Sequence, residues 1–564
     1  MTWGSKIQTI LLTTTTLVSG SFIAAHADTF VVSTAETTTN AGNTIDGDDS
    51  LTVDGTGSIT VSSGKGIDGT GTNNSVTLEA GSSVSASDEA IKLDGDDATV
   101  DLQAGSSVTS TSSKAIDIKK SARATVTIAG SVTSDAKEGV KVDGEDSVVS
   151  FASTAVVTSV KKGVDIKGDG GSATFAAGSQ VTSTADKGID IKGDGKTINF
   201  EGSVVSSKEG VKIDGEDGTF TFAAGSTITN DSKKGIDVKN HGGSTIVIAG
   251  VVNSAGGGVK LSKPGKDGDA IDSTSNITFA STSSITSTGT DISSKDGDVG
   301  VQIDGHGEST ILFEGAVASA TTGVLIQSTD GDSSTVADIT FASGSTVTST
   351  GMISGKDGDA GISILGHGGT GSAITFGGTV TSNTAGVVIK QNDGDSTSET
   401  ASTINFASTS SVIATGMGSG KDGDTGVEIK KFSGSDITFA GSVTSNGKGI
   451  KLDDGASSTI VFASTSSVVA TGVGSKKDGD TGIEIKKHDG STISFGGSIT
   501  SAGKGVKLDD GDSTISFLAG STVTSTNDTG VEIKKTDDST ITLAGTVTGG
   551  KTGVKLDDGD SNTV

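Results

Sequence analysis

The sequence has no cysteine and no tyrosine, and its 564 residues include one proline, one tryptophan (Trp3) and one arginine (Arg123). Without cysteine, no disulfide can hold the fold together, so its stability must come from packing. Few aromatic side chains are present to stack on nucleobases or sugars. The formal net charge of -28 repels a phosphate backbone. Together these features exclude nucleic-acid binding.

The sequence also lacks a run of 18 apolar residues, so it predicts no transmembrane helix. The N-terminus instead has the parts of a secretory signal peptide: Lys6, a mostly apolar or small stretch over 7–24, and the cleavage site Ala25-His26-Ala27. We therefore predict a signal peptide at residues 1–27, a polar lead or cap at residues 28–60, and an exported mature chain.

Hydrophobic residues make up only 31% of the chain, but they recur with a regular period. Each unit of 22–25 residues contains three short stretches of alternating apolar and polar residues, separated by Gly, Asp, Asn and Ser. This pattern is typical of short strands joined by tight turns. We predict an all-β fold: a single long parallel β-helix solenoid over residues 61–564, right-handed, with three short strands per coil. The last residues match the start of a strand, so we expect the sequence to stop within a coil.

A Gly/Ala-Val/Ile pair marks the third strand of each unit, with some wider gaps between copies. The apolar residue of this pair is Ile67, Ile91, Ile116, Val140, Val164, Ile189, Val211, Ile236, Val259, Val301, Val324, Ile362, Val387, Val427, Ile450, Ile483, Val506, Val531 and Val554.

The third strand carries charges whose order reverses from one copy to the next. Lys507 and Asp509 in one copy are followed by Glu532 and Lys534 in the next. If the copies stack in register, each outward charge meets an opposite charge about 4.8 Å away. The alternation therefore predicts that successive copies are immediate neighbours. We expect these ion pairs to be exposed and individually weak.

Phenylalanine recurs at the last position of the first strand in most units. In a solenoid these rings form a buried column. They are Phe151, Phe175, Phe200, Phe222, Phe279, Phe313, Phe341, Phe376, Phe406, Phe439, Phe462, Phe495 and Phe517, with Leu78, Leu102 and Leu543 in the same place in other coils.

The signal peptide, the absence of cysteine and Gly/Ser/Thr/Asp-rich coils such as residues 491–500 resemble the passenger regions of autotransporter-type adhesins of Gram-negative bacteria. The resemblance covers about residues 28–564. It implies a right-handed β-helix on the cell surface, held at the outer membrane by a C-terminal translocation barrel, and no segment of this sequence resembles that barrel. It also implies adhesion or self-association, with other copies of the chain or host and cell-surface molecules as partners.

A polysaccharide-cleaving β-helix enzyme is the alternative from another functional class. Hydrolysis needs two carboxylates in different environments, whereas the acids here repeat from coil to coil beside lysines. We therefore expect that the protein is not an enzyme and that it has no catalytic residue and no cofactor. Calcium binding at Asp-Gly-Asp loops is a weaker alternative, because these loops match neither an EF-hand nor a calcium-binding β-helix repeat. The loops are Lys295–Asp298, Lys356–Asp359, Lys421–Asp424 and Lys477–Asp480.

Four histidines follow third strands, and the nearest ones are two coils apart. That separation of about 9–10 Å is too long for them to share a metal ion, so we predict turn residues. They are His241, His306, His367 and His488.

The second strand places Thr outward in most coils, and Thr-x-Thr pairs such as Thr346/Thr348 and Thr522/Thr524 occur. A flat threonine array can order water, so an ice-binding solenoid is a further alternative. Val205, Asn253 and other residues interrupt the array. Hydrogen bonds between threonine and serine of adjacent coils explain the same pattern.

The charge pattern of the third strand fails between residues 300 and 390. Aliphatic side chains replace charges there, at Leu325, Leu365 and Val388, and an insertion brings Met352 and Ile353 toward the same face. A cluster of this kind is typical of a partner contact or of a surface covered by a loop. We predict a partner-contact patch at these five residues, with burial under the inserted loops as the alternative.

Overall fold

The computed structural model confirms a long parallel β-solenoid with three strands per coil. It describes residues 27–38, 43–262, 274–290, 298–305, 309–327, 337–352, 359–367, 371–390, 402–416, 425–472, 480–559 and 562–564. The predicted signal peptide lies almost wholly outside this range. The described residues contain no helix, and hence none that is long and apolar enough to cross a membrane.

Within these described ranges the strands form three sheets of 20 strands each. Sheet 1 contains Thr29–Val32, Ser50–Val53, Ser75–Leu78, Thr99–Leu102, Thr125–Ile128, Val148–Phe151, Ser172–Phe175, Thr197–Phe200, Thr219–Phe222, Thr245–Ile248, Asn276–Phe279, Thr310–Phe313, Asp338–Phe341, Ala373–Phe376, Thr403–Phe406, Asp436–Phe439, Thr459–Phe462, Thr492–Phe495, Thr514–Phe517 and Thr540–Leu543. Sheet 2 contains Ala35–Thr38, Ser58–Val61, Ser83–Ala86, Ser107–Ser110, Ser131–Ser134, Val156–Ser159, Gln180–Ser183, Ser203–Ser206, Thr227–Asn230, Val251–Ser254, Ser284–Ser287, Ala316–Ser319, Thr346–Ser349, Thr379–Ser382, Ser411–Ala414, Ser442–Ser445, Ser467–Ala470, Ser498–Ser501, Thr522–Ser525 and Thr546–Gly549. Sheet 3 contains Asn43–Asp46, Ile67–Thr70, Ile91–Asp94, Ile116–Lys119, Val140–Asp143, Val164–Lys167, Ile189–Lys192, Val211–Asp214, Lys234–Lys239, Gly257–Ser262, Val301–Asp304, Val324–Gln327, Ala360–Leu365, Ala385–Lys390, Thr425–Lys430, Lys448–Asp453, Ile483–Lys486, Val506–Asp509, Thr529–Lys534 and Thr552–Asp557.

Each strand pairs in parallel with the equivalent strand of the neighbouring coil, without a shift in register. The pairs Val506↔Val531 and Phe495↔Phe517 show this for sheets 3 and 1. Solenoid pairing begins at Thr29, which pairs with Ser50, so the segment predicted as an N-terminal lead contains strands of the same three sheets. Successive copies are therefore immediate neighbours, as the alternating charges predict.

The interior is a continuous column of buried Val, Ile, Leu and Phe side chains. Alternation within each four-residue strand explains it, because every second side chain points inward. The phenylalanine column is confirmed. From Phe279 to Phe517 adjacent rings are stacked, with ring centroids 4.5–5.2 Å apart. Between Phe175 and Phe222 the rings are tilted instead.

Buried serines close the corners between the sheets. At the end of sheet-2 strands, Ser134 Oγ donates to the carbonyl of Ser113 at 2.7 Å, and Ser287 Oγ donates to the carbonyl of Gly256 at 2.6 Å. These bonds satisfy backbone carbonyls that the turns leave outside the sheet ladders. The many serines of this chain therefore link one coil to the next inside the rod as well as making its surface polar.

Candidate functional site

The outward face of sheet 3 carries a lattice of opposite charges. Asp117 pairs in register with Lys141, and Lys119 with Asp143. Near the C-terminus Lys507 pairs with Glu532, and the Lys507 ammonium also lies 3.2 Å from Glu484 Oε1. The predicted alternation of charge is thus present in the register of adjacent strands, and near the C-terminus it forms ion pairs between coils.

A third column of charges, which the sequence analysis missed, completes this lattice. Lysines in the turn before the strand contact the acid three residues further along the chain. Lys114 Nζ, for example, lies 3.0 Å from Asp117 Oδ2. Lys504 makes the equivalent contact across coils with Glu532. In the N-terminal half the signal is visible in the sequence as a Lys-x-x-Asp spacing at several third strands, such as Lys65/Asp68, Lys114/Asp117 and Lys187/Asp190.

The expected exposure of these ion pairs is wrong. Glu532 is 7% exposed, Lys507 7%, and Glu484 only 1%. Side chains stacked at the strand spacing cover one another, and the turn lysines lie across the carboxylates from the side. The first outward charge of a sheet-3 strand, such as Glu484, is therefore largely withdrawn from water, so removal of its partner leaves a buried charge uncompensated. The second outward charge, such as Lys486 or Lys534, stays about one-third exposed.

Glu484 shows the electrostatic result most clearly. Burial alone would raise the pKa of this carboxyl, but Lys448, Lys486 and Lys507 outweigh it and lower the pKa from 4.5 to about 2. Lys486 and Lys507 each lie 3.2 Å from the same carboxylate oxygen. Glu484 is therefore ionised at any pH near neutrality, as a structural anion.

One stacking fault is compensated by a bridging lysine. Asp165 faces Asp190 on the neighbouring strand, which brings two like charges together. Lys162 Nζ lies 3.1 Å from Asp165 Oδ1 and 2.6 Å from Asp190 Oδ2. Both aspartates are nearly fully buried. The lattice therefore tolerates a repeated row where a turn lysine can bridge the two acids.

The predicted partner-contact patch is the interruption of this lattice. Leu325, Leu365 and Val388 lie on three successive strands, and all three are half-buried. Leu325 and Val388 share one column with Ser363 between them, whereas Leu365 stands in the next column between Gln327 and Lys390. The patch is a zigzag of aliphatic side chains across two columns, neither fully covered nor fully open.

At the N-terminal border of the patch, side-chain amides replace lysines as the hydrogen-bond donors to the carboxylates. Gln302 Nε2 donates to both carboxylate oxygens of Asp304 at 3.0 Å, and Gln327 Nε2 donates to Asp304 Oδ1 at 2.7 Å. Met352 is 84% exposed, so it does not cover Leu325, Leu365 or Val388. Ile353 lies outside the described residues, and the prediction for it stays a prediction.

The histidines follow third strands, as predicted, but their side chains point inward. His241, His367 and His488 are buried at equivalent corners of different coils, and Phe432 occupies the same corner in another. His488 Nδ1 lies 2.8 Å from Ser513 Oγ, and burial lowers the pKa of the ring. These positions accept an apolar ring, so they serve packing. His306 is outside the described residues.

No group of three or more His, Asp or Glu residues that could hold a metal ion occurs in the described part of the chain. Of the four Asp-Gly-Asp loops, Lys421–Asp424 lies wholly outside it and the others lie almost wholly outside it. Calcium binding at these loops therefore stays a prediction.

The outward face of sheet 2 contrasts with sheet 3, because none of its described strands has a charged side chain at an outward position. The predicted threonine array is in register: Thr346 and Thr348 pair with Thr379 and Thr381. Valine interrupts it at Val205, which is 49% exposed. The face is thus a flat, uncharged strip of hydroxyl and small aliphatic groups.

No known protein-family model and no curated protein sequence matches this chain.

Proposed function

We propose that this chain is an exported bacterial surface rod that acts in adhesion or self-association. The parallel solenoid is the fold implied by the resemblance to autotransporter-type passenger regions. The observation that carries the proposal is the uncharged outward face of sheet 2, which runs the length of a chain with a net charge of -28. An extended neutral face allows close approach between molecules whose net charges repel.

The proposal is tested by display of the full chain on beads. Beads coated with the protein are expected to aggregate with one another, or to bind cell surfaces, above the level seen with beads coated with a similarly acidic protein. Beads that neither aggregate nor bind any cell surface would overturn the proposal.

Ice binding is a second candidate, and the in-register pairing of Thr-x-Thr units in sheet 2 favours it. Two such units stack at Thr346/Thr348 and Thr379/Thr381, and two more at Thr522/Thr524 and Thr546/Thr548. Thermal hysteresis of the purified chain distinguishes the two functions: a freezing-point gap supports ice binding, and its absence removes that candidate.

A further inference from the structure

Sheet 2 is the face on which two copies of this chain repel each other least. Charged residues make up 20% of the sequence, and the net charge is -28. Sheet 3 carries the charge lattice, and the described strands of sheet 1 place three carboxylates outward, the half-buried Asp101 and the exposed Asp338 and Asp436. The outward positions of the described sheet-2 strands hold Ser, Thr, small or aliphatic residues and the amides Gln180 and Asn253, and none of them is charged. Because like charges oppose association, contact through sheet 2 costs the least electrostatic free energy.

The chemistry of this face is complementary to itself. Serine and threonine hydroxyls both donate and accept hydrogen bonds, so an array of them can pair with an identical array. Along the rod, successive outward hydroxyls repeat at the strand spacing of about 4.8 Å. Another parallel β-stack has the same repeat. If the hydroxyl groups of two rods face each other at one coil, they therefore face each other at all the coils of the overlap.

The face is also large enough for a stable contact. Twenty strands of about four residues cover an area of roughly 1,300 Å², using the strand spacing and the rise per residue. A standard protein interface buries about 800 Å² per partner. A second copy overlapping most of the rod therefore exceeds this size, whereas a short overlap does not.

We infer that the outward face of sheet 2 is the contact between copies of this chain, laid side by side along their rods. This inference rests on the proposed self-association and names its surface and its partner. Because the coils are nearly equivalent, the two rods can associate at many offsets of whole coils. The strength of the contact then grows with the length of overlap, so full overlap is favoured.

The test places charge on sheet 2 and compares it with charge on sheet 1 of the same two coils. Thr348 and Thr381 are adjacent on sheet 2, and Thr340 and Thr375 are their counterparts on sheet 1. All four are half-buried threonines. The double variants T348K/T381K and T348E/T381E are compared with the matched controls T340K/T375K and T340E/T375E by analytical ultracentrifugation of the full chain.

Wild type and both sheet-1 variants are expected to self-associate equally. Each sheet-2 variant alone is expected to associate at least about tenfold more weakly, because at any offset that covers these coils the added charges are buried in the contact, either against like charges or without a partner. A mixture of the Lys and Glu sheet-2 variants is expected to regain association. Circular dichroism and the unfolding midpoint check the fold, and the exposed single variant T524K replaces any double variant that fails to fold.

The outcomes separate this inference from the proposed function. If wild type associates and the sheet-2 variants associate as strongly, the contact lies elsewhere and this inference alone is overturned. The same holds if the sheet-1 variants lose association to the same extent. A wild-type chain that stays monomeric at high concentration overturns self-association as well, and leaves adhesion to other surfaces for the bead assay to decide.

Discussion

Glu484 lies at the centre of the charge lattice, where three lysine side chains hold a buried carboxylate ionised. Its folded pKa of about 2 lies below its ordinary value of 4.5. A carboxyl with a depressed folded pKa contributes stability that is fully present above the unfolded pKa and is lost as pH falls through the folded pKa. For this single group the window runs from about pH 4.5 down to about pH 2.

We predict that the free energy of unfolding of the wild-type coils around Glu484 falls by up to about 3 kcal/mol as pH falls through this window. Glu484→Gln is expected to be destabilised at pH 7 and to show a smaller loss on acidification, because its amide does not titrate. Hydrogen exchange of amides in residues 483–509, followed against pH, measures both effects. Asp436→Asn, at an exposed site on sheet 1, is the control. A pH profile unchanged in Glu484→Gln would contradict the assigned role.

Phe495 is a second residue whose effect is local and large. It is fully buried, and its ring centroid lies 5.0 Å from that of Phe462 and 4.6 Å from that of Phe517. Phe495→Ala leaves a cavity between two stacked rings, and we predict a loss of about 3–5 kcal/mol. Faster hydrogen exchange is expected first in residues 480–517, because each coil contacts only its neighbours.

Ser494→Ala, one residue earlier on the outward side of the same strand, is the matched control for the Phe495 variant. Its expected effect is within about 0.5 kcal/mol. Equal effects of the two substitutions would show that Phe495 does not support the core.

At the scale of the strand, the effect of a charge on stability depends on the charges of the two neighbouring strands. Glu532→Lys combined with Lys534→Glu sets a lysine between Lys507 and Lys555. Since Glu532 and Lys507 are each 7% exposed, we predict a cost of about 3–5 kcal/mol. Salt is expected to recover only part of this loss, because buried charges are screened much less than exposed ones. Urea denaturation at low and high salt measures the loss and its recovery.

The exposed pair formed by Arg123 and Asp97 is the control for this reversal, with its atoms 2.7 Å apart. Arg123→Ala is expected to cost less than about 1 kcal/mol, and salt should remove the difference. If high salt fully restored the stability of the Glu532→Lys/Lys534→Glu variant, the charges at these positions would have to be exposed to water.

The strand is also the scale at which sequence reasoning was most successful. The period, the register of sheet 3 and the phenylalanine column follow from two-residue alternation and from charges that make sense only between neighbouring coils. The burial of Glu484 could not be predicted in the same way. It depends on how a turn lysine such as Lys448 lies across the sheet, and strand periodicity says nothing about turns. The zigzag arrangement of Leu325, Leu365 and Val388 likewise required the register of three separate strands.

At the scale of the whole molecule, the repeating unit of sheet 3 near the C-terminus is a pair of coils, because the order of the charges reverses from each coil to the next. Deletion of residues 483–530 removes such a pair and places Glu532 beside Lys451, with the opposite-charge contacts kept. Deletion of residues 506–530 removes one coil and places Glu532 beside Glu484. We predict that the shorter deletion lowers the midpoint of thermal unfolding more than the longer one.

Calorimetry of the two deletion variants and wild type provides the measurement. Circular dichroism checks that each variant retains its strand content. An equal or larger loss from the two-coil deletion would show that the number of coils, and not the match of charges, determines stability in this part of the rod.

The stacking of strands along one axis also determines how the rod responds to a pulling force. The hydrogen bonds between coils lie parallel to that axis, so tension applied to the two ends loads them one layer at a time. Each detached coil of 22–25 residues releases roughly 80 Å of extended chain in place of one strand spacing. A tether of this construction lengthens in many small steps under load and dissipates energy at each one, while the coils that remain stacked keep their structure.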